Sequence, residues 1–146
     1  IPPGGGEPQL VFDDFDIPNG LCFSPDSSLL YINDSTRAHI RVFDVKKDGT
    51  LSKGRMFFEK IGSGDVEEGF PDGMKWDELG NIYITGPTGI WIISPKGEHL
   101  GVIRVPEVVG NHAFGGRDWK ELYICATTSL YRIQMKVASA QTSYTR

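Results

Sequence analysis

Two tripeptides hold the side chains best suited to chemistry, Pro18-Asn19-Gly20 and Pro71-Asp72-Gly73. An amide oxygen and a carboxylate are the donors that a hard cation such as calcium collects, about six to eight oxygens at a time. A carboxylate can also take a proton from water. Asn-Gly and Asp-Gly are equally ordinary turn dipeptides, so either tripeptide alone says little. Their contexts match, however. Asn19 is followed 12 residues later by Tyr31 in Leu30-Tyr31-Ile32, and Asp72 is followed 11 residues later by Tyr83 in Ile82-Tyr83-Ile84. A third unit takes Asn111 to Tyr123 in 12 residues, which puts Asn111 and His112 at the equivalent place as candidate substrate contacts.

These positions need a repeating scaffold to bring them together. Short β-rich runs lie between glycine and proline punctuation: 29–32, 40–45, 56–58, 82–85, 90–93, 101–105, 122–125 and 130–133. No window carries an apolar 3.6-residue period long enough for a helix, so the fold class is all-β. Inner strands are predicted near Leu21 to Phe23, Gly73 to Trp76 and Ala113 to Gly115. Units of about 40 to 50 residues with up to four strands fit the blades of a β-propeller. One half-propeller domain over 1–146 is expected, with blades at 16–60, 70–105 and 110–137 and a tail at 138–146. The third blade lacks a fourth strand, and a strand-like piece at 9–13 stands unclaimed ahead of the first.

Three blades cannot close a ring, since propellers use about four to eight. A longer chain could supply the remainder. Alternatively, a two-fold homodimer would give six blades, with 9–13 of each copy closing the third blade of the other.

Pro-Asn-Gly-Leu with Phe23-Ser24-Pro25-Asp26, then Pro-Asp-Gly-Met with Asp77-Glu78-Leu79-Gly80-Asn81, then Ala113-Phe114-Gly115-Gly116 with Leu122-Tyr123-Ile124-Cys125-Ala126, resembles the gluconolactonase or senescence-marker-protein (regucalcin) family of six-bladed propellers. The likeness runs from about Leu10 to Val137 and corresponds to the second half of that family's chains. It implies a divalent metal at one mouth of the central tunnel, calcium first, with zinc, magnesium or manganese as alternatives. It also implies hydrolysis of sugar-acid lactones. Asn19 falls on the family's metal asparagine, and Asp72 on its metal aspartate and proposed general base. The family's glutamate ligand and its substrate-holding arginine and asparagine belong to the first three blades. The alternative function is a non-catalytic half-propeller that dimerises into a binding scaffold.

Other residues carry weaker expectations. Asn33 and Asp34 suit a strand-end cap, His39 and His99 solvent, and Asp65, Glu67 and Glu68 a solvated loop. Trp76, Trp91 and Trp119 are expected to pack between blades, and Cys22 and Cys125 to be buried thiols. A net charge of −4 with scattered basic residues offers nucleic acid no patch. No apolar run approaches the about 18 residues of a membrane span, so no membrane is expected as a partner. Compartment is left open.

Overall fold

The computed structural model describes residues 5–63 and 68–140, so Asp65, Glu67 and the tail beyond Ala140 lie outside the described residues. Among the described residues, eleven strands form three antiparallel sheets. The first holds β1 (Pro18–Phe23), β2 (Leu29–Asp34), β3 (His39–Asp44) and β4 (Arg55–Glu59) in sequence order. The second holds β5 (Met74–Trp76), β6 (Ile82–Gly86), β7 (Gly89–Ile93) and β8 (His99–Arg104). The third holds β9 (Val109–Gly115), β10 (Glu121–Ala126) and β11 (Leu130–Gln134), with no fourth strand among the described residues. These are three consecutive propeller blades, with strands β1, β5 and β9 side by side on the inner edge.

Period-two alternation decides which side chains meet. In β3, Ile40 and Val42 turn toward the second sheet and join Tyr31, Met74, Trp76, Ile82, Ile84 and Ile93 in one core. Tyr83, Ile90, Val109, Phe114, Leu122 and Ile124 form the core between the second and third sheets. All five residues of β6 are buried, as expected for a strand covered on both faces. Tyr31 meets Trp76 edge-on at 4.9 Å, and Tyr83 meets Phe114 at 5.2 Å. The repeated tyrosines therefore occupy equivalent interblade places. Each fully buried aliphatic side chain contributes roughly 1.5–3 kcal/mol.

The chain ends depart from the sequence expectations. The piece at 9–13 forms no strand and instead lies against its own first blade. Phe12 packs edge-on against Phe43 at 4.9 Å, and the Arg41 guanidinium sits 4.6 Å from the Phe12 ring centre. Asp14 bridges Arg37 at 3.3 Å and Arg41 at 3.1 Å. The backbone N–H groups of Asp16 and Ile17 donate to the buried Asp34 carboxylate at 2.7 and 3.3 Å. Phe43 is thereby fully buried on a face that the strand count leaves open. At the other end, residues 138–140 strap back to the second blade. Glu78 N–H donates to the Ala138 carbonyl and Ala140 N–H to the Trp76 carbonyl.

Several single-residue expectations also change. His39 is buried at 8% exposure, because β3 turns it inward. Cys125 is exposed, on a face of the third sheet that no other described residue covers. Trp119 lies outside the cores and is 37% exposed. Trp91 packs against the first core and stacks on His99, ring centres 4.3 Å apart.

Candidate functional site

At one end of the inner strands the loops of the first two blades interlock around Asp72. Asn33, fully buried at the end of β2, donates through Nδ2 to the Asp72 carbonyl at 2.7 Å. Its Oδ1 accepts from Gly20 N–H at 3.2 Å. Ser35 donates to the Pro71 carbonyl at 2.6 Å and accepts from Asn19 Nδ2 at 3.1 Å. From the second blade, Thr85 Oγ1 accepts from Asp72 N–H at 2.8 Å and donates to the Phe70 carbonyl at 3.0 Å. Both main-chain polar groups of Asp72 are thus fixed by buried side chains, which leaves its carboxylate to be aimed by the backbone.

Glycine makes this approach possible. A Cβ at Gly20 would stand 1.8 Å from the Asp72 carbonyl oxygen, and one at Gly73 would stand 2.3 Å from Asn111 Oδ1. Gly73 N–H donates to the Gly110 carbonyl at 3.1 Å, tying β5 to β9. The glycines that follow Asn19 and Asp72 are therefore contact points between adjacent inner strands, not merely turn residues.

A cleft of about 410 Å³ opens beside Asp72, walled by Val108, Gly110, Asn111, Cys125, Ala126 and Thr127. Burial raises the Asp72 pKa above the ordinary carboxylate value, opposed by the Asn19 amide and by the positive charge of Lys75. Asn19 and Asp72 are close enough for their side chains to interact, as their repeat positions predict. Asn111 joins Asp72 on the cleft wall.

His112 does not face the cleft. It is 3% exposed in the core between the second and third blades, where the Tyr83 backbone is the one polar group beside the ring and makes at most a weak hydrogen bond with it. Burial lowers its pKa to about 3, so the ring is neutral at physiological pH. Successive β-strand residues point to opposite faces, so β9 cannot present both Asn111 and His112 to one mouth.

Sequence inspection passed over Thr85 and Lys75. Thr85 stands two residues after its blade tyrosine, as Asn33 does, so repeat alignment could have exposed it. Among the described residues, no three His, Cys, Asp or Glu side chains converge as a complete metal cage. The donor types do suit a hard cation, one carboxylate and one amide oxygen.

Comparisons with known proteins agree with this architecture. The chain is 33% identical over 137 residues to the gluconolactonase of Zymomonas mobilis, covering 90% of this chain and 38% of that protein. It is 32% identical over 128 residues to pig (Sus scrofa) regucalcin, covering 84% and 42%. The solved structure of a Xanthomonas campestris gluconolactonase superposes with a TM-score of 0.76 at 31% identity, over 92% of this chain and 42% of that one. The chain therefore spans about two-fifths of the length of these relatives. The family pattern described as the SMP-30/gluconolactonase/LRE-like region matches residues 2–128, and the chain belongs to that family.

Proposed function

We propose that this chain carries the metal-binding part of a lactonase site that opens the cyclic esters of sugar acids. The observation that supports it best is the meeting of Asn19 and Asp72 from adjacent blades beside one cleft. Asn19 and Asp72 would hold a divalent cation, calcium first, then zinc, magnesium or manganese. When bound, the cation would draw electron density from the lactone carbonyl. Asp72 accepts a proton as water attacks the carbonyl carbon and the ring C–O bond breaks. That proton then passes to the departing ring oxygen, giving a hydroxy acid. Asn111 on the cleft wall is positioned for substrate hydroxyls.

Two protein donors fall short of the about six to eight that calcium takes. The balance would come from water and from further blades, either in a longer chain or in a second copy. Across a two-fold axis, two Asn19 and two Asp72 would surround the centre. The shortage itself favours the second reading, a non-catalytic binding scaffold. Base-titrated hydrolysis of glucono-δ-lactone, with and without chelator, separates the two, read beside light scattering for the assembly. Chelator-sensitive turnover that is lost in Asp72→Ala is the expected result. Calcium binding by Asp72→Ala equal to the parent's would refute the assignment.

A further inference from the structure

The cleft beside Asp72 has a neighbour. A second cleft, of about 560 Å³, is walled by Glu68, Pro87, Thr88, Pro106 and Glu107, and Val108 lines both. Topology explains why the two adjoin. Neighbouring strands run antiparallel, so the approach to β5 at Asp72, the β6–β7 turn, the segment between β8 and β9 and the β10–β11 turn gather at one end of the blades. Val108 is the wall they share, and its carbonyl accepts from the Thr127 hydroxyl of the first cleft at 3.4 Å. Each volume lies within the about 300–1,000 Å³ of small-molecule sites.

Glu107 is fixed in place. The Tyr131 hydroxyl donates to one of its carboxylate oxygens at 2.6 Å, and the Thr128 N–H and hydroxyl donate to the other at 2.7 and 3.0 Å. The Ser129 and Tyr131 hydroxyls and the Thr128 N–H bring its pKa down to about 2, so the group is ionised and acts only as an acceptor. Glu68 adds an exposed carboxylate on a loop whose carbonyl accepts from Thr88 N–H at 3.3 Å. Pro87 and Pro106 add apolar surface to the same cleft. A sugar ring has the complementary make-up, with hydroxyl donors around its rim and C–H groups on its faces. Hydroxyls that donate to an ionised carboxylate make the stronger, charge-assisted kind of hydrogen bond. Among the described residues that line the two clefts no side chain is cationic, which disfavours a phosphate or carboxylate there. We propose that the cleft beyond Val108 is a second sugar subsite, and that the lactone preferred is that of a disaccharide acid. Its lactone ring lies beside Asp72, and its glycosyl ring lies on Glu107, Glu68 and the two prolines. The placement of the lactone ring rests on the lactonase reading above. Such a lactone forms when the reducing end of a disaccharide is oxidised, so an oxidation of that class must supply it.

The test is calorimetric titration of the 146-residue chain with glucitol and with lactitol, which is glucitol carrying a galactosyl ring. Neither is charged and neither can be hydrolysed as a lactone. Lactitol should bind about tenfold tighter, the worth of one or two net hydrogen bonds. Glu68→Ala and Glu107→Gln should each weaken lactitol binding by about threefold or more and leave glucitol binding unchanged. Glu68 is exposed, so Glu68→Ala decides the matter should Glu107→Gln lose its far-ultraviolet β signal. Lactitol binding no tighter than glucitol, or a gain that survives Glu68→Ala, would overturn the proposal, as would a parent that binds neither polyol. Hydrolysis is scored separately, and the lactone of lactobionic acid should be opened with a lower KM than glucono-δ-lactone. Absence of all hydrolysis, with Glu68-dependent lactitol binding intact, would count against the lactonase and not against the second subsite. Hydrolysis of both lactones at equal KM, with no preference for lactitol, would count against the subsite alone.

Discussion

Replacing Asn33 with alanine removes both hydrogen bonds by which one buried side chain joins the first blade to the second. The Asp72 carbonyl loses a donor at 2.7 Å and the Gly20 N–H loses an acceptor at 3.2 Å. A buried polar group left without a partner costs about 1–3 kcal/mol. Both groups are partly buried, so the pair should destabilise the fold by about 3 kcal/mol. With a urea slope of about 2 kcal/mol per molar, the unfolding midpoint should fall by roughly 1.5 M. Asn33→Asp is the sharper control. It keeps the acceptor for Gly20 but turns an oxygen toward the Asp72 carbonyl and puts a charge at a fully buried position. It should be at least as damaging at neutral pH and should recover in part in acid, where the protonated carboxyl can donate. The same variants should weaken calcium binding, because the Asp72 backbone loses one of its two fixed points. An alanine midpoint within about 0.3 M of the parent, or a neutral-pH aspartate variant as stable as the parent, would refute the account. Unchanged calcium affinity in the folded alanine variant would refute the positioning role alone.

Three further outcomes follow from the same structure. Gly20→Ala forces a Cβ to 1.8 Å from the Asp72 carbonyl oxygen, so it should destabilise by about 1–3 kcal/mol or more and reduce calcium affinity, read by urea unfolding and calorimetry. His112 has a folded pKa of about 3, below its unfolded value near 6.5. The unfolded chain therefore binds the proton first, and stability should fall by about 1.4 kcal/mol per unit as pH drops below 6.5, levelling near pH 3. His112→Phe should remove most of that slope, leaving the part due to His39, whose pKa burial also lowers. Cys125 is exposed while the Cys22 thiol is pushed up to about 12, so native protein at pH 8 should label rapidly at one thiol. Peptide mapping that finds Cys22 labelled first would contradict the placement of β1.

The strands were legible because alternating apolar residues between glycine-rich turns leave few other ways to bury Ile40, Val42, Ile82 and Ile84. Equivalence between units located Asn19 and Asp72, since position in a repeat becomes position in space. What escaped the sequence depends on partners distant along the chain. Asn33 reaches Asp72 across 39 residues, and Thr85 reaches it across 13. The likeness of Asn111 and His112 to the other units obscured the plain rule that strand neighbours face opposite ways. Residues 9–13 have strand composition, yet Phe12 and Asp14 find Phe43 and Arg41 on the adjacent sheet. Aromatic and charged contacts there outweigh the β-propensity, which is a weak and context-dependent preference.

The position two residues after each blade tyrosine carries the logic of the site further. In the first blade it is Asn33, which holds its own inner strand at Gly20 and reaches forward to the loop of the next blade at Asp72. In the second it is Thr85, which holds Asp72 and Phe70 of its own loop. In the third it is Cys125, exposed on the wall of the cleft beside Asp72. A small side chain with weak hydrogen-bonding power cannot repeat the clamp that Asn33 makes. Any inner loop that follows the third blade, whether from a longer chain or from a second copy, must then be held by other contacts.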